Sequence, residues 1–137
     1  STPLYSSAAS DVYKRQVCSY ATTAALNSCK LPKYEMKDDA PVKIEGEVSD
    51  PPIATLPVSV TMIRIGEHIL VDPNMDEWTC LDARITITTN SDGNIVALQK
   101  GGSDGFTHEQ LTNCAEMSIQ VGKKIREIIK TASEGSN

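Results

Sequence analysis

Aromatic side chains, paired cysteines and basic charge are all scarce in this sequence. A single Trp, a single Phe and an aromatic content of 4% leave any core to be built mainly from Ile, Val, Leu, Met and Ala. The same scarcity removes the aromatic platforms on which single-stranded nucleic acid stacks. With 13 Lys and Arg against 18 Asp and Glu, the formal charge is -5, whereas non-specific affinity for nucleic acid comes mostly from cations that neutralise phosphates. Any RNA or DNA would have to find its positive charge on a partner chain. No apolar run approaches the roughly 18 residues of a membrane-spanning helix, so a membrane span is not expected. Cys18, Cys29, Cys80 and Cys114 form no C-x-x-C pair, so neither a structural zinc site nor a thioredoxin-like motif is indicated. They are expected to be reduced and mostly buried, as small hydrophobes in a cytoplasmic protein. Nucleotide-binding loops of the G-x-x-x-x-G-K-[ST] and G-x-G-x-x-G types are missing, as is the G-x-S-x-G nucleophile elbow. His68 and His108 make no ligand pattern and are expected at the surface. No metal or other cofactor is implied.

What remains is a soluble globular composition, 39% hydrophobic and 23% charged, in about one domain's length. Residues 1–16 stand apart. Leu4 to Gln16 follows neither helical nor strand periodicity and resembles a translated sequencing adapter, so it is set aside from fold reasoning. Without Asp11, Lys14 and Arg15 the remaining charge becomes more negative by one, and the natural protein is expected to begin upstream of Val17. Lys14 and Arg15 before Val17–Leu26 imitate an export signal, and Leu26-Asn27-Ser28-Cys29 a lipoprotein box. Ser19, Tyr20, Thr22 and Thr23 interrupt the apolar region, and export is not expected.

Val17 to Leu26 is rich in Ala and other small residues and reads as a buried helix that Pro32 closes, giving a helical unit over 17–31. Residues 32–56 are rich in proline and acids and read as a surface linker with at most a short strand at Val42 to Val48. The acids there alternate with Lys37 and Lys43, the pattern of a solvated face. Val58, Val60 and Met62 share one face of a strand running from Pro57 to Ile65. Gly66-Glu67 supplies a II′ turn and His68 to Asp72 returns, completing a hairpin. Asn74 and Glu77 cap a short helical turn through Trp78 and Cys80. Ala83, Ile85 and Ile87 alternate with Arg84, Thr86 and Thr88, and Asn90 to Asn94 turns the chain into Ile95–Lys100, a second hairpin.

The last helix opens with a capping box at Thr107 and Gln110, with Phe106 and Leu111 at staple positions. Leu111, Cys114, Ala115, Ser118, Val121, Gly122, Ile125 and Ile129 form its inward stripe. Lys123, Lys124, Arg126 and Lys130 are expected to complement the helix dipole and face water. The fold class is α+β: a helix, two β-hairpins forming a four-stranded antiparallel sheet, and a long C-terminal helix, with residues 57–133 as the domain and 134–137 as a tail.

Chemistry is sparse. Lys100 to Gly105 could nest an anion, but reads as a flexible connection from strand to helix. Asp72, Asp76, Glu77 and Asp82 cluster between strands and could serve as a general acid or hold a divalent ion, yet their local reading is capping and solvation.

Several segments together carry a resemblance. These are Leu56-Pro57-Val58-Ser59-Val60-Thr61, Ile65-Gly66, Leu70-Val71-Asp72-Pro73, Asp76-Glu77, Asp82-Ala83-Arg84-Ile85-Thr86 and Ala97-Leu98-Gln99-Lys100-Gly101-Gly102. Their order and spacing resemble the C-terminal part of an RNase PH-fold subunit, and more narrowly the non-catalytic RNase PH-like subunit of the archaeal exosome ring. The likeness runs from Val17 to Lys130 and makes Cys18 to Leu26 a helix of the upstream half of that fold. Phosphorolytic members remove nucleotides from RNA 3′ ends with inorganic phosphate, aided by acids after the strand that here ends at Asp72. In an ungapped match those acids fall on Trp78 and Arg84, neither of which handles protons as a carboxyl does. A gap of two would bring Asp76 or Asp82 into play.

The resemblance thus implies a non-catalytic scaffold. It would alternate with a catalytic RNase PH-like subunit in a hexameric ring of three heterodimers, with RNA as the substrate of the complex. No catalytic, RNA-contacting or metal-binding residue is assigned. Two alternatives stand beside it: a catalytic phosphorolase using Asp76 or Asp82, and an unrelated acidic α+β interaction domain.

Overall fold

The computed structural model describes residues 4–134, with side chains from 16 to 133. Residues 1–3 of the adapter-like segment and residues 135–137 of the tail lie outside the described residues. The elements are α1 (Leu4–Ser28), β1 (Leu31–Lys37), β2 (Ala40–Ser49), β3 (Val58–Ile65), β4 (His68–Val71), α2 (Met75–Thr79), β5 (Ala83–Thr89), β6 (Ile95–Gly102) and α3 (His108–Glu134).

The α+β expectation holds. Strands β4-β3-β5-β6 form one antiparallel sheet in that order. Val58, Val60 and Met62 on β3 and Ala83, Ile85 and Ile87 on β5 are all buried. Val60, Met62, Ile85 and Ile87 form a core cluster with Cys114 of α3, against which Phe106, Met117, Val121 and Ile125 pack. Each of the larger aliphatic side chains contributes about 1.5–3 kcal/mol by leaving water. The first hairpin turns at Gly66, whose φ of 57 is the left-handed conformation that the first turn position demands. Ile65 and His68 pair across it. Both expected caps form. Asn74 Oδ1 accepts from the Glu77 N–H at 2.9 Å while Glu77 Oε2 accepts from the Asn74 N–H at 2.7 Å. At α3, Gln110 Oε1 accepts from the Thr107 N–H at 2.9 Å and Thr107 Oγ1 from the Gln110 N–H at 3.2 Å.

Four expectations are corrected. First, α1 begins at Leu4 and ends at Ser28, where the sequence suggests a helix over 17–31 preceded by irregular chain. The segment from Leu4 to Gln16 lacks an apolar stripe but contains neither Gly nor Pro, and a helix nucleated at its packed end propagates through such a sequence. Second, the 32–56 linker is mostly a hairpin of β1 and β2. Asp38 and Asp39 turn it with φ of 50 and 59, a conformation that Asp tolerates better than most residues. Pro32 and Pro41 are accommodated because each strand of a two-stranded ribbon has a free edge. Lys33 pairs with Glu47 at 3.4 Å, and Lys30 with Asp50.

Third, of the four free cysteines only Cys114 is buried; Cys18 and Cys80 are exposed and Cys29 is intermediate. Burial pushes the Cys114 thiol pKa up, which keeps it protonated and inert. Fourth, the basic residues of α3 do not share one role. The helix runs on to Glu134 and has no basic residue in its last turn, and Arg126 is only 5% exposed. Its Nη1 donates to the Thr89 carbonyl at 2.9 Å and to Thr89 Oγ1 at 3.2 Å, and burial lowers the pKa of its guanidinium. The inward face of α3 therefore includes Cys114, Ser118, Gly122, Arg126, Ile129 and Ser133, while Leu111 remains 38% exposed.

Helix α1 is tied to the start of β3. The Tyr20 hydroxyl donates to the Ser59 carbonyl at 2.6 Å and accepts from Gln16 Nε2 at 2.8 Å. Burial pushes the Tyr20 phenol up to about 12; the Gln16 hydrogen bond opposes this and the Asp72 charge adds to it. Because the folded pKa lies above the unfolded value of about 10, the contribution is intact below pH 10 and is lost as pH rises towards 12. In an alkaline absorbance titration, Tyr20 is expected to ionise late, towards pH 12, and together with loss of structure. A titration with no late phase coupled to loss of structure would contradict the tie. Tyr20→Phe should remove the late phase.

Candidate functional site

The face of the sheet opposite the core is polar because β5 alternates. Its register pairs Ser59 with Thr88, Thr61 with Thr86 and Ile63 with Arg84 across β3 and β5. The hydroxyls of the first pair are 2.8 Å apart and those of the second 3.0 Å. On the other side of β5, Gln99 lies opposite Thr86 and Gly101 opposite Arg84. These residues, with Gln16 from α1 and Ala97 and Leu98, line a concavity of about 230 Å³.

Arg84 forms one wall. Its guanidinium lies 5.6 Å from the centroid of the Trp78 ring, within the range of a cation–π contact. The other side of the arginine lies over Gly101, where an added Cβ would meet Arg84 Cγ and Cζ at 3.1 Å. An α2 residue on one side and a bare backbone on the other thus flank the side chain. Among the described residues, no carboxylate pairs with Arg84 and none lines the concavity.

The acids between the strands do not converge on this place. Asp82 Oδ2 accepts from the Gly66 N–H at 2.8 Å and lies 3.5 Å from Arg64 Nη1. Arg64 also donates to Asp104 at 3.0 Å and to the Gly66 and Gly105 carbonyls at 2.7 and 3.2 Å. Asp82 is therefore part of a clamp on the first hairpin turn. Glu77 caps α2, and Asp76 is exposed on its first turn, with its carbonyl accepting from Thr79 Oγ1 at 2.7 Å. Asp72 is exposed at a φ of 54. Among the described residues, no group of three His, Cys, Asp or Glu side chains is placed to hold a metal ion.

His68 and His108 are exposed, as expected, on a separate groove between β4 and the start of α3. The glycine-rich segment is not simply a flexible connection. Lys100, Gly101 and Gly102 complete β6, and Arg64 clamps Asp104 and Gly105. The hydroxyl ladder was not singled out from the sequence, although the alternation of Arg84, Thr86 and Thr88 was its signal; only the register with β3 brings Ser59 and Thr61 alongside.

Residues 55–121, from the approach to β3 into α3, match the family described as 3′ exoribonuclease family, domain 2. That segment is an RNase PH-type domain 2. The chain is 36% identical over 113 residues to the exosome complex component Rrp42 of Thermococcus gammatolerans, covering 82% of this chain and 41% of the relative. The identity to Rrp42 of Thermoplasma acidophilum is 39% over 107 residues, covering 78% and 38%. The chain thus spans about two-fifths of the length of these relatives. Among solved structures, an archaeal exosome core superposes with a TM-score of 0.57 at 39% identity, covering 62% of this chain and 34% of that one. An Archaeoglobus fulgidus exosome with RNA bound to the active site gives 0.55 at 39% identity, covering 60% and 32%. These likenesses bear out the RNase PH resemblance and remove the reading as an unrelated acidic interaction domain.

Proposed function

We propose that the protein to which this chain belongs is the non-catalytic RNase PH-type subunit of an archaeal exosome ring. It supports 3′-to-5′ phosphorolytic RNA degradation and processing by a catalytic RNase PH-like partner with which it alternates in a heterohexamer. The observation that carries this reading is the wall of the concavity: a guanidinium stacked on an indole, where phosphorolysis calls for a carboxyl able to move a proton. The nearest rival acid supports it too, because Asp82 is engaged with Arg64 and the Gly66 N–H. The similarity to Rrp42 relatives points the same way. A cytoplasmic location fits an RNA-processing role.

The test uses the full-length protein with its upstream half. Alone, it should release no nucleoside diphosphates from RNA with inorganic phosphate; co-expressed with a catalytic RNase PH-like chain, it should co-purify and the complex should be active. Asp82→Asn in this subunit should leave the turnover of the assembled complex within about twofold, since a clamp on a surface turn contributes stability and not chemistry. Phosphate-dependent release by the protein alone, abolished by Asp82→Asn, would establish the phosphorolase reading instead.

A further inference from the structure

The β1–β2 hairpin stands apart from the packed sheet and helix. It shares no ladder with the four-stranded sheet, all of β1 is exposed, and in β2 only Ile44 and Ser49 are partly covered. Its residues nevertheless sort into two unlike faces. Side chains alternate along a strand and register partners share a face, so Pro32 with Val48, Tyr34 with Lys43 and Met36 with Pro41 lie on one side. The register shift between these pairs holds Gly46 at a φ of 78, and it returns Val48 to the side of Tyr34 and Met36. The opposite side carries ion pairs, Lys33 with Glu47 and Glu35 with Lys37.

The first side is apolar and wet. Tyr34, Met36 and Val48 are 59, 69 and 55% exposed. Lys43 is the one charge among the six, and its methylene stem extends an apolar face while the ammonium reaches water. A plain connection from α1 to β3 would need no such face, and a two-stranded ribbon has little stability of its own in water.

Charge indicates what the face meets. Asp38 and Asp39 form the tip, and among the described residues no cation pairs with either. The whole chain carries -5, so a second copy would bring more negative charge to an acidic tip. RNA is repelled for the same reason. A ring partner that holds RNA beside this acidic subunit must itself supply basic charge, which makes it complementary to the tip where a second copy is not.

We propose that the β1–β2 hairpin is a docking arm for the catalytic RNase PH-like partner, with the Tyr34 and Met36 face seated on an apolar strip of that chain and the Asp38–Asp39 tip against basic side chains. The inference rests on the ring reading above and adds a surface through which the subunits are joined.

The test measures association of the full-length protein with that partner. Tyr34→Ser combined with Met36→Ser should weaken it about tenfold or more, as expected for an aromatic anchor and its neighbour. The circular dichroism spectrum should not change, because both side chains are exposed. Asp38→Asn combined with Asp39→Asn keeps residues that tolerate the left-handed turn, and should slow association and flatten its salt dependence. Lys33→Gln combined with Glu47→Gln, on the opposite side, should leave the affinity within about twofold.

Amide hydrogen exchange locates the cover. The β1 and β2 amides should exchange fast in the full-length protein alone and slowly in the complex. Slow exchange in the full-length protein alone would mean that its own chain covers the face. A dimer of the 137-residue chain in sedimentation, dissolved by Tyr34→Ser with Met36→Ser, would assign the face to a second copy. Either result overturns the proposal. So does an unchanged partner affinity in that double variant, which leaves the ring reading standing. If the unaltered proteins fail to associate, the ring reading falls and the arm falls with it.

Discussion

Replacing Gly102 by alanine is expected to lower the stability of the domain by about 3 kcal/mol or more, through strain and overlap together. Gly102 closes β6 with a φ of 88, and a Cβ there would sit 2.8 Å from Ala83 Cα and 2.9 Å from the Asp82 carbonyl oxygen. Both obstacles are backbone, at its register partner Ala83 and at the residue just before it, so neither can rotate away. The adjacent Gly101→Ala provides the contrast. Its Cβ would meet only the Arg84 side chain, which can swing aside, so the loss should stay near or below about 1 kcal/mol. The fluorescence of Trp78 should nevertheless shift as the guanidinium leaves the ring. Urea denaturation with circular dichroism and fluorescence measures both changes. Equal destabilisation by the two substitutions would contradict the different origins assigned to these glycines.

Ile85→Ala is the other large effect, an expected loss of about 2–5 kcal/mol. Ile85 is fully buried, lies on a central strand, and pairs with Met62 within the cluster that Cys114 closes from α3. Truncation removes apolar contact and leaves a void between a sheet and a helix, two elements that cannot readily collapse towards each other. Leu98→Ala, on the same sheet face but on the outer strand and 56% exposed, should cost under about 1 kcal/mol. The pair is read from denaturation midpoints at constant slope. A loss at Ile85 no larger than that at Leu98 would mean that the α3 interface does not hold the sheet.

Legibility in the sequence followed the range of the interactions. The Gly66 turn, the caps at Asn74 and Thr107 and the alternation along β3 and β5 depend on residues a few positions apart, and all stand as read. The β1–β2 hairpin was hidden because its prolines oppose a strand everywhere except on a free edge, and only the pairing shows that both strands are edges. Arg126 was misread for a related reason. A basic residue near other basic residues looks solvated until Thr89, 37 positions away, accepts its hydrogen bonds.

The candidate site divides along the same line. That Trp78 and Arg84 fall where an ungapped match to a phosphorolytic relative would put acids is a reading of the linear sequence, made from the motifs around them. That Arg84 has no carboxylate partner among the described residues, lies between an indole and a glycine, and shares a concavity with four hydroxyls is a property of the sheet and α2 together. Residue identity and short-range spacing determine which groups the chain carries and which local turns it makes. Which groups meet, and which are left uncompensated, depends on contacts across strands and helices that a linear order does not contain.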